Sequence, residues 1–252
     1  MNKANPKLVI ITGATSGFGK ACAIKFANNG WQIIATGRRL DRLQSLQSNI
    51  GAEKCEIQCF DVNKSLEVEQ FCESLRGRRI DLLINNAGLA LGLSPAYKAD
   101  FTDWETMIET NILALTRMTR AILPMMVENK KGHIINLGSI AGSYPYPGAN
   151  VYGATKAFVE QFSLNLRADL GGTGVRVTNI EPGLANTEFS KVRFHGDEKK
   201  ADSIYQDLKP LVAEDIAESI YWCASQPKHV NINRLEIMPT CQAFGSLAIE
   251  KN

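Results

Sequence analysis

Apolar residues along the chain come in two rhythms. Short runs rich in β-branched residues read as strands at Lys7–Thr12, Gln32–Thr36, Cys55–Phe60, Ile80–Ile84, His133–Leu137, Val175–Ile180 and near Arg234–Met238. Between them lie stretches whose apolar positions recur at helical spacing. These begin with Ala21, Ile24, Phe26 and Ala27 and continue over Leu40–Ser48, Leu66–Leu75, Trp104–Val127, Val151–Leu170 and Glu214–Ala224. Strands separated by helices of this length predict an α/β fold, a seven-stranded parallel sheet with helices on both faces. The chain shows no internal repeat, low-complexity tract or linker, so residues 1–252 read as one domain. One long stretch, Glu181–Pro210, escapes both rhythms and is rich in glycine, proline and charge. Such a segment within a compact domain reads as a lid or binding loop.

Composition narrows the function by exclusion. A formal charge of +2 on 252 residues gives no support to nucleic acid as a partner, and the densest basic run, Arg76-Gly77-Arg78-Arg79, reads as a solvated loop. Six cysteines lack paired spacing and histidine neighbours, which predicts reduced core thiols, no metal site and a cytoplasmic location. From Met1 a short polar segment leads into four apolar residues, Leu8–Ile11, too few for a signal-peptide core. No stretch approaches the ~20 apolar residues of a membrane span.

The candidate chemistry collects at strand ends. Gly13-Ala14-Thr15-Ser16-Gly17-Phe18-Gly19 joins the first strand to the first helix, where glycines let backbone amides approach a phosphate and the helix terminus favours negative charge. Its glycine spacing differs from the Gly-x-Gly-x-x-Gly dinucleotide fingerprint. After the second strand, Arg38 and Arg39 stand where a carboxylate would choose NAD, so the expected cofactor is NADP; the competing reading is the solvated start of a helix. Asp61 ends the third strand, with a role in a helix N-cap region as its alternative. Asn85-Asn86-Ala87-Gly88 ends the fourth, and small and amide residues there suit a backbone passing close to a flat ring. Asn111 interrupts the apolar face of a long helix and either holds a water in a proton path or bends the helix. Ser139 follows the fifth strand. Tyr152 and Lys156, four apart on a helix, share a face, so the ammonium can favour the phenolate of a tyrosine that is otherwise a poor acid or base at neutral pH. Tyr-x-x-x-Lys also occurs by chance in helices. The histidines, His133, His195 and His229, lack partners at a spacing that makes chemistry.

Taken together, Thr12-Gly13-x-x-x-Gly17-x-Gly19, Asn85-Asn86-Ala87-Gly88, Asn111, Ser139, Tyr152-x-x-x-Lys156 and Pro182-Gly183 resemble the short-chain dehydrogenase/reductase family over essentially the whole chain. The resemblance implies a Rossmann-type doubly wound sheet. It implies that Tyr152 transfers the proton, that Lys156 lowers its pKa and binds the nicotinamide ribose, that Ser139 orients the substrate oxygen and that Asn111 holds a relay water. It further implies that the Gly13–Gly19 turn cradles the pyrophosphate, that Arg38 and Arg39 take the 2′-phosphate, and that Asp61 and Val62 flank the adenine. Asn86 would then lie beside the adenosine ribose, and Pro182 to Ser190, with Gly183 and Thr187, on the nicotinamide side. A narrower resemblance, carried by Asn86–Gly92, Asp103–Ile108, Val151–Val159, Gln161–Arg167 and Val192–Phe194, is to the NADP-dependent 3-hydroxy acid dehydrogenases. That group oxidises serine, L-allo-threonine and related acids or reduces semialdehydes, and the resemblance implies a homotetramer. Arg193, the only arginine in the lid, is the candidate for a substrate carboxylate; the alternatives are that it is a solvated loop residue or that it orders the lid by pairing with Asp197 or Glu198. Two other functions stay open: a reductase for an uncharged ketone, sugar or acyl substrate, and a non-catalytic NADP(H)-binding regulator.

Overall fold

A computed structural model describes residues 6–244, so the polar segment beginning at Met1 lies outside the described residues. Seven strands form one parallel sheet in the order β3-β2-β1-β4-β5-β6-β7. They are β1 Leu8–Ile11, β2 Gln32–Gly37, β3 Cys55–Cys59, β4 Leu82–Asn85, β5 Gly132–Leu137, β6 Val175–Pro182 and β7 Arg234–Ile237. Each follows a predicted run to within two residues at either end. The near-continuous burial of the central strands has a simple cause, since a parallel sheet is covered on both faces and alternate residues enter different cores. Val9 and Ile11 face one core with Ile33, Ile84 and Ile135, and Leu8 and Ile10 face the other with Ile34, Leu83 and Ile134.

The first core is closed by α1 Gly17–Asn28, α2 Leu40–Ile50 and α9 Ala213–Ser225; Phe26 of α1 meets Trp31 and Tyr221 edge-on at 5.1 and 5.3 Å. The second is closed by α3 Ser65–Ser74, α5 Leu115–Glu128 and α6 Asn150–Asp169. Chain order reverses at β1, which has β2 on one side and β4 on the other, and this opens a crevice beyond the strands' carboxyl ends.

Three expectations about elements change. The helix read as Trp104–Val127 is α4 Phe101–Ile108, then a π-helical stretch Glu109–Ala114, then α5; the extra residue of the wide turn brings Asn111 inward. The irregular stretch starts later than Glu181. β6 runs through Pro182, and the Glu181 side chain is buried, accepting from Asn179 Nδ2 at 2.6 Å and Arg234 Nε at 2.7 Å. Residues 183–212 then carry two short helices, α7 Phe189–Arg193 and α8 Glu198–Ser203, closed at the base by a bridge from Ala185 to Leu211. On α6, the apolar pattern read from the sequence marks only part of the buried face: Phe158 and Leu164 are exposed, whereas Gly153, Thr155, Lys156 and Ser163 are buried. That inner face borders the crevice and a polar interior, so its residues are chosen for small size and hydrogen bonding.

Candidate functional site

A cleft of about 490 Å³ opens along the carboxyl ends of β1 to β6, from Arg38 at one end to Tyr152 and Arg193 at the other. Its floor is the turn between β1 and α1. Gly13 has a φ of +67°, which a side chain would strain, and a Cβ on Gly19 would come within 2.5 Å of both the Gly13 carbonyl and Asn86 Nδ2. Asn86 fills the space the glycines leave: its Nδ2 donates to the Thr12 and Gly13 carbonyls at 2.8 and 3.1 Å. Thr12 Oγ1 accepts from the amides of Asn86 and Ala87, locking β1 to β4 at the reversal point. The first-turn amides of α1 point into the cleft's floor, where a helix N-terminus suits an anion.

The two arginines after β2 have different surroundings. Arg38 is two-thirds exposed and reaches Asp61 only at 3.7 Å. Arg39 is engaged with the turn, donating from Nε and Nη2 to Thr15 Oγ1 at 3.1 and 2.6 Å and from Nη2 to Ser16 Oγ at 2.9 Å. Asp61 Oδ1 accepts from the Asn63 amide at 3.0 Å, and α3 is preceded by Lys64, so Asp61 organises the turn after β3 rather than capping the helix. Asp61, Val62, Asn86 and Thr187 all line the cleft.

At the other end Tyr152 is buried, its ring 5.7 Å from Phe189 and 5.1 Å from the Arg193 guanidinium carbon. Burial pushes its phenol up to about 12, with the Ser139 hydroxyl and the Arg193 cation pulling the other way and Tyr146 opposing them. Lys156 is buried beside it, with Nζ 5.8 Å from the Tyr152 ring centre and donating to the Leu137 carbonyl at 2.7 Å. Burial draws the Lys156 ammonium down to about 8. Ser139 and Arg193 are the groups that pull the phenol down most. Ser139 Oγ accepts from the Ala141 amide at 3.1 Å and lies 3.4 Å from the Pro182 carbonyl, tying β5 to β6.

Asn111 is buried on the π-helical stretch, where Oδ1 accepts from the Leu89 amide at 2.9 Å and Nδ2 donates to the Leu89 carbonyl at 2.8 Å and Thr155 Oγ1 at 3.0 Å. It clamps the segment after β4 onto α6 at Thr155, the residue just before Lys156. Arg193 does not pair with Asp197 or Glu198. Those carboxylates serve the Lys200 amide and the Lys191 ammonium, while Arg193 donates from Nη2 to Tyr146 Oη at 3.1 Å and leaves its buried Nε unpartnered.

Sequence reasoning did not single out Tyr146, and it reached Glu188 and Phe189 only as part of the span Pro182 to Ser190; all three line the cleft. Tyr146 sits in a proline-rich loop and Phe189 in an irregular stretch, and neither position has a periodicity to read. Glu188 immediately follows Thr187, yet only the fold brings it to Arg39 and Arg42, at 3.2 and 2.6 Å. Among the described residues no cluster of His, Cys, Asp and Glu could hold a metal, and no helix is long and apolar enough to cross a membrane.

Comparison with known proteins adds an independent line. The chain is 56% identical over 248 residues to an NADP-dependent 3-hydroxy acid dehydrogenase, YdfG, of Salmonella typhi, with 97% of this chain and 100% of that protein covered. It is 50% identical over 249 residues to sulfoacetaldehyde reductase 2 of Chromohalobacter salexigens, covering 97% and 99%. Among solved structures, the closed form of serine dehydrogenase complexed with NADP+ superposes with a TM-score of 0.95 at 54% identity, covering 97% of this chain and 100% of that one. The model of the short chain dehydrogenase family matches residues 7–198, and with these relatives it shows that the chain belongs to that family.

Proposed function

We propose that this protein is an NADP-dependent oxidoreductase that transfers a hydride between the nicotinamide and the 3-hydroxyl carbon of a small hydroxy acid such as serine, L-allo-threonine or 3-hydroxyisobutyrate, or reduces a semialdehyde in the reverse direction. The reading is supported by relatives of this activity along the full chain and by a cleft whose donors fit the cofactor. The glycine turn suits a pyrophosphate, Arg38 has donors free for a 2′-phosphate, and the cleft extends from there to Tyr152. NADP, when bound, supplies the hydride acceptor or donor. The chain's own residues handle the substrate and its proton. Ser139 holds the reacting oxygen, and Tyr152 takes the hydroxyl proton during oxidation and returns it during reduction. Lys156 brings a positive charge to the ribose side and Asn111 holds the segment after β4 against α6.

One observation carries the preference for an acid: Arg193 lines the cleft against Tyr152 and makes one hydrogen bond, to Tyr146, so its guanidinium has donors left for a substrate carboxylate. A guanidinium accepts a sulfonate equally well, and the sulfoacetaldehyde reductase relative makes that a second reading. Residues 183–212 form the lid of a single catalytic domain in this proposal. In this proposal the enzyme works in the cytoplasm, which its free thiols support, as a homotetramer, which Phe158 and Leu164, apolar and exposed on α6, support. Steady-state rates with NADP+ and NAD+ against serine, allo-threonine, 3-hydroxyisobutyrate and uncharged alcohols, and with NADPH against sulfoacetaldehyde, test the reading. Turnover confined to the acids with NADP+ is expected; preference for an uncharged alcohol would overturn it.

A further inference from the structure

Glu188 has no part in the chemistry above, yet it makes the strongest charged contacts on the cleft wall. Its Oε1 and Oε2 accept from Arg42 Nη1 at 2.6 and 2.7 Å, and Oε2 also accepts from Arg39 Nη1 at 3.2 Å. The backbone of Glu188 is part of α7, since its carbonyl accepts the first helical hydrogen bond, from the Val192 amide at 3.1 Å. From the same short helix Phe189 and Arg193 lean on the Tyr152 ring and on each other, at 5.2 Å. A turn and a half of helix thus has one end gripped by Arg39, after β2, and Arg42, in the first turn of α2, and the other end seated on the catalytic tyrosine.

Resting on the proposed NADP-dependent reading, we propose that Glu188 is a positioning residue that couples the 2′-phosphate site to the substrate site: by holding Arg39 and Arg42 it fixes α7, and through α7 it keeps Arg193 over Tyr152. The carboxylate and a 2′-phosphate are two anions drawing on one guanidinium. The distances say how they share it. Arg42 holds Glu188 closely, while the longer Arg39 contact leaves that fork able to turn toward a phosphate without releasing the lid. Glu188 therefore lowers affinity for the 2′-phosphate slightly and in exchange keeps the substrate end assembled.

Two variants separate this coupling from a general structural role, with 2′,5′-ADP and 5′-AMP as probes in calorimetric titrations and trypsin cleavage after Lys191 and Arg193 as the reading of lid order. In Glu188→Gln, cleavage should accelerate severalfold. Affinity for 2′,5′-ADP should rise about two- to fivefold, the size of a lost exposed ion-pair competitor, with 5′-AMP unchanged. The Michaelis constant for the hydroxy acid should rise more than kcat falls. In Arg42→Gln, cleavage should accelerate likewise, but 2′,5′-ADP should bind more weakly, because Glu188 then depends on Arg39 alone. Opposite signs in binding with the same sign in cleavage are the signature. Unchanged cleavage in both variants, or 2′,5′-ADP affinity that is unchanged or weaker in Glu188→Gln, overturns the proposal. Both probes act without substrate, so the test stands even if the hydroxy acid reading fails.

Discussion

At the scale of single residues, the site sets burial against charge. Tyr152 and Lys156 are both taken out of water, which pushes the phenol up to about 12 and the ammonium down to about 8, and each shift opposes the ionised form that acid–base chemistry uses. Arg193 is one of the groups that offsets this at Tyr152. Removing its charge in Arg193→Leu should raise the phenol further, so the rising limb of kcat against pH for oxidation moves to higher pH. The profile is read from kcat at saturating hydroxy acid, so that lost substrate binding does not enter. Lys156 yields a prediction of the opposite kind. Its folded pKa lies below its unfolded value of 10.5, so the folded state carries a penalty that is full below about pH 8 and fades as pH rises toward 10.5. Lys156→Met should therefore lose turnover yet stabilise the cofactor-free protein at pH 7 by on the order of 2 kcal/mol. Thermal melts at pH 7 and pH 10 check this, with the gain expected at the lower pH only.

At the scale of elements, the break between α4 and α5 is where helix geometry is given up for position. A continuous α-helix would turn Asn111 away from Leu89, whereas the π-helical stretch aims its amide at both backbone groups of that residue. In Asn111→Leu those groups lose their partner inside the protein, which costs about 1–3 kcal/mol of stability. The segment 88–92 would loosen beside Lys156. The expected result is a kcat reduced about tenfold or more with NADP+ affinity nearly unchanged, read from single-turnover rates and cofactor titration. Equal losses in both would mean that the stretch supports the cofactor floor as well. The same logic applies to α6, whose inner face is small and polar because it lines the site.

At the scale of the whole molecule, the sheet brings together arginines whose sequence positions are adjacent but whose surroundings differ. Arg38 stands free at the cleft edge, and Arg39 is woven into Thr15, Ser16 and Glu188. Arg38→Ala should raise the Michaelis constant for NADP+ while leaving the weak use of NAD+ alone, since only the 2′-phosphate loses a partner. Arg39→Ala should weaken both cofactors, and NADP+ the more, because the glycine turn loses the side chain that braces it from β2 and the 2′-phosphate loses a second partner. Parallel kinetics with the two cofactors distinguish the variants; identical behaviour would show that neither arginine reads the phosphate.

Much of this was legible in the chain itself. Local periodicity suffices for seven strands and the helices between them, because a β-branched run and an amphipathic run differ in spacing whatever surrounds them. The parallel arrangement follows from their alternation, and Gly13, Gly19, Ser139, Tyr152 and Lys156 are readable because their motifs occur together and in order in a pattern that resembles one family, although each alone also has ordinary structural uses. What the sequence could not convey were relations between residues far apart in it. Glu188 meets Arg42 across 146 positions and Arg193 meets Tyr146 across 47, while Asp197 and Glu198, its near neighbours, are taken by Lys200 and Lys191. The sequence determined which groups were available and on which elements they ride, because those depend on local spacing. Only the tertiary structure decided which group each one meets and how far burial shifts its proton, because partners and desolvation are properties of packing.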